Sequence, residues 1–350
     1  MNTHFNKSIL AILFCLGILF SPLTLAAEYG GGKGTAGEPY EIWTPEQMNT
    51  IGLNPADWGK HFKLMADIDM SIYTGTQYNI IGNLTTQFTG TFDGGGHVIS
   101  NLTITAVSQD YVGLFGYVEN GQIRNLGINN MNITGDDNVG GLVGFCAFGT
   151  ITNSYTSGIF SGSNYVSGLL GYNYYSTIRS CYTAGTISGS QRVAGLVGLN
   201  QSGTITFCYA TGSVDGLREV GGLVGYNFYG TIRSCYSTGT ISGSWNVGCL
   251  VGLNESGTLT SCFWDIQTST LTDGVGNEDP DPSGVMGKTT AQMKSLSTFP
   301  PAEWDFINVW GIIPNQTYPY LRTDWIADLN HDGKVDLADF EIFASQWLRQ

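Results

Sequence analysis

Apolar positions in this chain return on a fixed long period, not on the spacing of a helix face. GLVG occupies Gly141–Gly144, and the same frame returns as GLLG at Gly168–Gly171, as GLVG at Gly195–Gly198 and Gly222–Gly225, and as CLVG at Cys249–Gly252. Each step is 27 residues, and GLFG at Gly113–Gly116 precedes the series by 28. Other slots keep the period. Val139, Val166, Val193, Val220 and Val247 share one; Ile151, Ile178, Ile205, Ile232 and Leu259 share another. An aromatic slot holds Tyr155, Tyr182, Tyr209, Tyr236 and Phe263. Asn173, Asn200, Asn227 and Asn254 form a fourth, with Cys146 in that slot one unit earlier. β-Branched and aromatic runs cut by Gly, Ser and Asn read as about three short strands per unit.

A unit of this size has no room for two helices and cannot bury its own apolar face, so units must stack. Stacked coils pair strand with strand about 4.8 Å apart, and like residues then lie over one another. Val on Val and Ile on Ile fill a bore. A buried Asn ladder passes amide hydrogen bonds from coil to coil, and glycine supplies positive φ at the corners. The expected fold class is all-β: a right-handed parallel β-helix (β-solenoid) of about six coils over residues 91–265. Residues 28–90 read as an N-terminal cap and first strands, with Thr44 capping a helix that starts at Pro45 and a strand-like alternation over His61–Met70. Residues 266–325 read as a C-terminal cap. It comprises a loop at Asp273–Ser283, a short helix at Thr289–Leu296 and an aromatic segment, Trp304–Leu321, that closes the last coil.

Composition narrows the class. Charged residues are 12% of the chain, about half the usual ~25%, and glycine is 49 of 350 residues. With 42% hydrophobic residues the chain is not of disordered type. The net charge of −14 lacks the basic footprint of a nucleic-acid binder. Residues 1–27 have the form of a secretory signal peptide: Lys7, an apolar run over 9–20, and Leu25-Ala26-Ala27 for cleavage. No other stretch is long and apolar enough for a transmembrane helix. The expected location is secreted, extracellular or at a bacterial cell surface.

The GLVG tetrads with their SCYxTG partners resemble the GLUG motif of bacterial secreted and surface proteins, some immunoglobulin A proteases among them. FTGTFDGGGHVISNLTI (Phe88–Ile104) and TYPYLR (Thr317–Arg322) are similar to segments of such proteins, so the resemblance covers about residues 29–322. It implies a β-helix and a surface location, and no settled activity. The metalloprotease sequence HExxH is not found in the chain.

Cys181, Cys208, Cys235 and Cys262 lie 27 residues apart. Same-slot Cα atoms about 4.8 Å apart fall within disulfide reach, while free buried thiols in a ladder satisfy the pattern as well. The C-terminal segment carries a calcium pattern. DLNHDGKVDLAD places oxygen ligands at loop positions 1, 3, 5, 9 and 12, namely Asp328, Asn330, Asp332, Asp336 and Asp339. The Lys334 carbonyl stands at position 7 and Gly333 at the sharp turn. Apolar residues of 337–348 follow at helical spacing. With Asp at position 12, residues 326–350 resemble a single dockerin type I repeat. That resemblance implies Ca²⁺ and a cohesin-like or cell-envelope protein partner; a full dockerin has two such repeats.

No constellation of catalytic residues stands out. Carboxylates over the repeats are sparse, Asp93 and Asp136-Asp137 read as turn residues, and Arg192 with Glu219 reads as a surface ion pair. One aromatic set suggests a ligand surface: Phe148, Tyr175 and Tyr229 share a slot, and Tyr174 and Phe228 share the one before it. If exposed, this strip suits stacking on sugar rings. The expected function is a non-catalytic binding or adhesion protein with a calcium-dependent attachment tail and a glycan ligand. The alternative is a polysaccharide hydrolase or lyase, or a component of a dockerin-linked complex.

Overall fold

The computed structural model describes residues 29–269 and 271–322. The signal segment, the calcium-loop residues Asp328, Asn330, Asp332, Lys334, Asp336 and Asp339, and the helix expected after them lie outside the described residues.

The chain winds into a parallel β-solenoid. One inward ladder runs Tyr40, Phe62, Phe92, Ile123, Ile151, Ile178, Ile205, Ile232 and Leu259, each paired in register with the next. These nine rungs bound about eight turns, more than the six the period suggests. The difference lies at the N-terminal end. Phe62 to Phe92 is 30 residues and Phe92 to Ile123 is 31, so those turns carry extra loop and fall out of the 27-residue period. What reads as a cap is therefore partly solenoid. The cap proper is α1 (Pro45–Leu53), opened by Thr44, whose side chain accepts from Gln47 N. His61–Met70 forms two strands, His61–Leu64 and Ile68–Asp69.

Three faces build each coil. A broad sheet contains segments such as Thr177–Ser188. A five-stranded sheet runs through Val139–Gly140, Asn164–Ser167, Gln191–Ala194, Arg218–Gly221 and Trp245–Gly248. A six-stranded sheet runs through Phe115–Glu119, Val143–Ala147, Leu170–Tyr174, Val197–Gln201, Val224–Phe228 and Val251–Glu255. Ile178, Cys181, Ile187, Val193, Leu196, Val197 and their counterparts fill the bore, essentially without solvent exposure. Buried hydroxyls cross it: Thr156 donates to Gly168 O at 2.7 Å, Thr183 to Gly195 O at 2.8 Å and Ser237 to Cys249 O at 2.6 Å.

Corners turn mainly on non-glycine residues. Asn153, Ser180, Phe207, Ser234 and Ser261 have φ between 49° and 55° in one stacked slot. Phe148, Tyr175, Ser202, Tyr229 and Ser256 do the same in a second, and Tyr165, Arg192, Glu219 and Asn246 form a third with φ between 52° and 57°. This corrects the expectation that glycine supplies the turns. The tetrad glycines serve close packing instead: a Cβ on Gly195 would lie 2.2 Å from Gly222 O, and one on Gly198 would lie 2.6 Å from Gly171 O.

The asparagine ladder is present. Asn173 Nδ2 donates to Asn200 Oδ1 at 2.7 Å, Asn200 to Asn227 at 2.8 Å and Asn227 to Asn254 at 2.8 Å. Asn254 ends the chain of bonds on Glu278 Oε1 at 2.8 Å. Each amide also donates to the carbonyl three residues on. This geometry explains a linked choice in the sequence. A Cβ at Gly203, Gly230 or Gly257 would lie 2.0–2.2 Å from the Asn amide of the preceding coil. Ser176 holds the equivalent position in the coil that follows Cys146, where no such amide intrudes.

The six described cysteines are buried. Cys181, Cys208, Cys235 and Cys262 donate to carbonyls of their own coil at 3.1–3.3 Å, and burial pushes the Cys208 and Cys235 thiols upward. The C-terminal end is closed by the loop 273–285: Val275 bridges to Val251, and Asp281 accepts from Gly274 N and Val275 N. The aromatic segment does not close the last coil. It folds back along the outside of the broad sheet, led by α2 (Thr290–Met293) with its Thr289 capping box. Among the described residues no helix is long and apolar enough to cross a membrane.

Gly230→Ala forces a methyl into the amide ladder and is expected to cost about 3 kcal/mol, as overpacking plus broken buried hydrogen bonds. Urea titration checks this, and a change below 0.5 kcal/mol contradicts it. The described thiols are expected to stay inert to an aromatic disulfide reagent until the protein unfolds; rapid native reaction at Cys208 or Cys235 contradicts the buried ladder.

Candidate functional site

Two aromatic systems line the outside of the solenoid, and the chain uses them differently. On the broad sheet, Tyr155, Tyr182, Tyr209 and Tyr236 stack at centroid distances of 4.8, 4.7 and 4.9 Å with planes within 11°. The pleat aims this slot outward, so parallel in-register pairing alone produces the stack. The C-terminal arm covers its later rungs. Trp310 packs on Tyr209 and Tyr236, and Trp304 on Tyr236 and Phe263.

Polar contacts pin the arm. Arg233 Nε donates to Glu303 Oε2 at 2.6 Å and Tyr236 Oη to Pro319 O at 2.6 Å. Asp265 is fully buried, and its Oδ2 accepts from both Thr290 Oγ1 and Tyr318 Oη at 2.6 Å. Burial, followed by that bond, pushes the Tyr318 hydroxyl upward. This ladder is a docking face already occupied by its own chain.

The six-stranded sheet leaves its aromatic residues uncovered among the described residues. The strip read from the sequence lies there. Phe148, Tyr175 and Tyr229 are 52%, 51% and 60% exposed, while Tyr174 and Phe228 are half-buried beside them. Phe148 and Tyr175 are near-parallel at 5.7 Å. Tyr174 crosses Tyr175 at 4.7 Å and 78°, and Phe228 crosses Tyr229 at 4.5 Å and 71°. The five residues do not form one continuous strip. They fall into two groups, divided by the coil in which Gln201 and Ser202 take the same slots.

A further outward slot holds Tyr117, Phe145 and Tyr172 in successive coils, then Leu199, then Tyr226, and enlarges the face. Its signal is in the sequence, since these residues directly follow the tetrads and alternate with the bore. Tyr172 donates to Gln201 Oε1, and Tyr226 to Glu255 Oε2 at 2.6 Å. Arg192 and Glu219 are not a loose surface pair. They meet at 2.9 Å with both side chains mostly buried, and the guanidinium lies over the Tyr165 ring at 4.9 Å and donates to Tyr165 Oη at 2.6 Å.

The exposed aromatics occupy conformationally costly positions. Phe148, Tyr175 and Tyr229 have φ of 54°, 51° and 53°. The left-handed region costs an L-residue about 1–2 kcal/mol, least for Asn and Gly, and Asn120 shows that the corner accepts asparagine (φ 53°). Local backbone preference does not account for bulky rings at such corners, facing solvent.

The sparse acids have structural partners. Asp93 accepts from Gly95 N, Asn125 Nδ2 and Arg124 Nε, each at 3.0 Å. Asp137 Oδ1 accepts from Asn164 N at 3.1 Å and Asn164 Nδ2 at 2.8 Å. Among the described residues no group of three or more His, Cys, Asp or Glu side chains is arranged to hold a metal ion.

Comparison with known proteins agrees with this architecture. Residues 216–242, one unit, match the family described as the GLUG motif. A stretch of 140 residues, 38% of the chain, is 39% identical to halomucin of Haloquadratum walsbyi and spans 2% of it. A stretch of 136 residues, 37% of the chain, is 32% identical to a candidate Gly-rich membrane protein of Evansella cellulosilytica and spans 16% of it. A solved structure of a candidate immunoglobulin A1 protease from Bacteroides ovatus superposes with a TM-score of 0.67 at 24% identity, over 84% of this chain and 95% of that one. At that identity the likeness is one of fold. The chain thus carries the GLUG motif on a β-solenoid and spans a small fraction of the curated relatives it matches.

Tyr229→Asn is expected to change stability by less than about 1 kcal/mol, because relief of the left-handed corner offsets a lost aromatic pair of about 0.5–1.5 kcal/mol. Thermal melting checks this; a loss of several kcal/mol would make the ring part of the structural core.

Proposed function

We propose that this chain is a non-catalytic extracellular or cell-surface binding module, with the aromatic face of the six-stranded sheet as its ligand surface and neutral glycan as its ligand. The observation that carries the reading is the exposure of Phe148, Tyr175 and Tyr229 at left-handed corners. Rings on a rigid scaffold offer large contact area with little loss of side-chain freedom. Similarity to halomucin and to a candidate membrane protein supports a place at the cell surface. The signal-like residues 1–27 agree with export.

The tail supplies attachment in this reading. Asp328, Asn330, Asp332, the Lys334 carbonyl, Asp336 and Asp339 would offer the oxygens that Ca²⁺ requires. The ordered loop would present the following apolar residues to an envelope or cohesin-like protein.

The test is adsorption of the protein without residues 1–27 to insoluble neutral polysaccharides, with no release of reducing sugar. Replacing Phe148, Tyr175 and Tyr229 together by Asn is expected to abolish adsorption and leave the melting temperature near wild type. Equal adsorption by the triple variant, or sugar release, would contradict the reading. For the tail, calcium titration by calorimetry is expected to show one site, lost in Asp328→Ala/Asp332→Ala; calcium binding unchanged in that variant would contradict it.

A further inference from the structure

The two aromatic groups on the six-stranded sheet are separated by one coil, and that coil interrupts a ring ladder. On the broad sheet, same-slot tyrosines in successive coils stand face to face 4.7–4.9 Å apart, whereas Tyr117, Phe145 and Tyr172 on the six-stranded sheet are inclined by 55° and 61°. The corner slot follows the near-parallel pattern, with Phe148 and Tyr175 at 5.7 Å and 23°. The next position is Ser202, and a ring returns at Tyr229. The backbone continues without interruption: Tyr175 N donates to Gln201 O at 3.0 Å, and Ser202 N to Phe228 O at 2.8 Å. Tyr175 and Tyr229 are each crossed by a perpendicular neighbour, Tyr174 or Phe228, at nearly the same angle. The two corner rings are therefore held alike, two coil steps apart. That is about 9.6 Å at the ordinary strand spacing, twice the distance at which the broad sheet stacks its tyrosines.

We propose that the gap over Ser202 is a subsite for one pyranose ring of a neutral glycan, sandwiched between Tyr175 and Tyr229 in the place of the missing rung. This deepens the glycan-binding reading and rests on it. The walls are aromatic and the floor is polar, with Ser202 and the Gln201 amide. A pyranose matches both parts: its C–H faces stack on the rings while its hydroxyl edge meets the floor. An aromatic side chain from a protein partner would match the walls and leave the floor without hydrogen-bond partners, which is costly once water is excluded. Gln201 is already oriented by the Tyr172 hydroxyl. The Arg192–Glu219 pair is closed on itself, and among the described residues the six strands of this sheet carry no Lys or Arg, so neutral sugars fit better than a uronate.

Ser202→Tyr tests this directly. Ser202 has φ 53°, against 51° and 53° at Tyr175 and Tyr229, so the corner accepts tyrosine. The substitution completes the ladder and fills the gap with the protein's own ring. Calorimetric titration with neutral glucose, xylose and mannose hexasaccharides would identify one that binds wild type. Ser202→Tyr is expected to melt at or above the wild-type temperature and to bind that hexasaccharide at least tenfold more weakly. Tyr175→Ala and Tyr229→Ala are expected to weaken it by a similar factor. Wild-type affinity in Ser202→Tyr, with binding lost in the triple corner variant, would overturn the subsite and leave the broader glycan reading standing. Absence of binding by wild type to every hexasaccharide would overturn both. Saturable binding of an aromatic peptide that no sugar displaces would overturn the pyranose assignment.

Discussion

Parallel coils of equal length force each residue to answer the one above and below it, and the buried asparagine amides make that constraint strictest. Asn173, Asn200, Asn227 and Asn254 each receive a hydrogen bond from, or donate one to, an identical group in the next coil, in the interior where an unmade bond is most expensive. A coil one residue longer would move its amide out of line and bring an apolar residue into the slot. The constraint reaches beyond the ladder itself. Glycine is required three residues on, at Gly203, Gly230 and Gly257, because the neighbouring amide fills the space a Cβ would take. Constant coil length then fixes where every corner falls, and so where every outward ring falls.

The proposed function rests on the outward copies of the same periodicity. On the broad sheet the tyrosine stack is an internal interface, closed over Tyr209 and Tyr236 by Trp304 and Trp310 of the returning arm. On the six-stranded sheet no described segment lies over the corner rings Phe148, Tyr175 and Tyr229. One register rule thus yields an occupied aromatic face and an open one. The open face is rigid before any ligand arrives, because its rings ride on backbone held on both sides by neighbouring coils, which lowers the ordering cost of binding.

Much of this was legible in the sequence. The 27-residue period determined the fold class, the identity of the bore residues, the asparagine ladder and the composition of the aromatic strip. Three things were not legible, each for a physical reason. The N-terminal turns vary in loop length, 30 and 31 residues between Phe62, Phe92 and Ile123, so no fixed period exposes them. Many corner conformations fall on Ser, Tyr, Phe, Arg and Glu, residue types for which sequence alone gives no sign of positive φ. The path of residues 289–322 depends on long-range partners, Arg233 with Glu303 and Asp265 with Tyr318, that lie far apart in the chain. The split of the strip at Ser202 was visible in the sequence, yet its meaning required knowing that the rings of that slot lie near-parallel, as Phe148 and Tyr175 do.

The most direct test of the account is a crystal structure of the mature protein with a bound neutral oligosaccharide. The account places one pyranose between the rings of Tyr175 and Tyr229, parallel to both, with its hydroxyls on Ser202 and Gln201. A sugar bound elsewhere, with the gap closed by rotation of either tyrosine, would contradict the claim that a missing rung in the coil ladder forms the binding site.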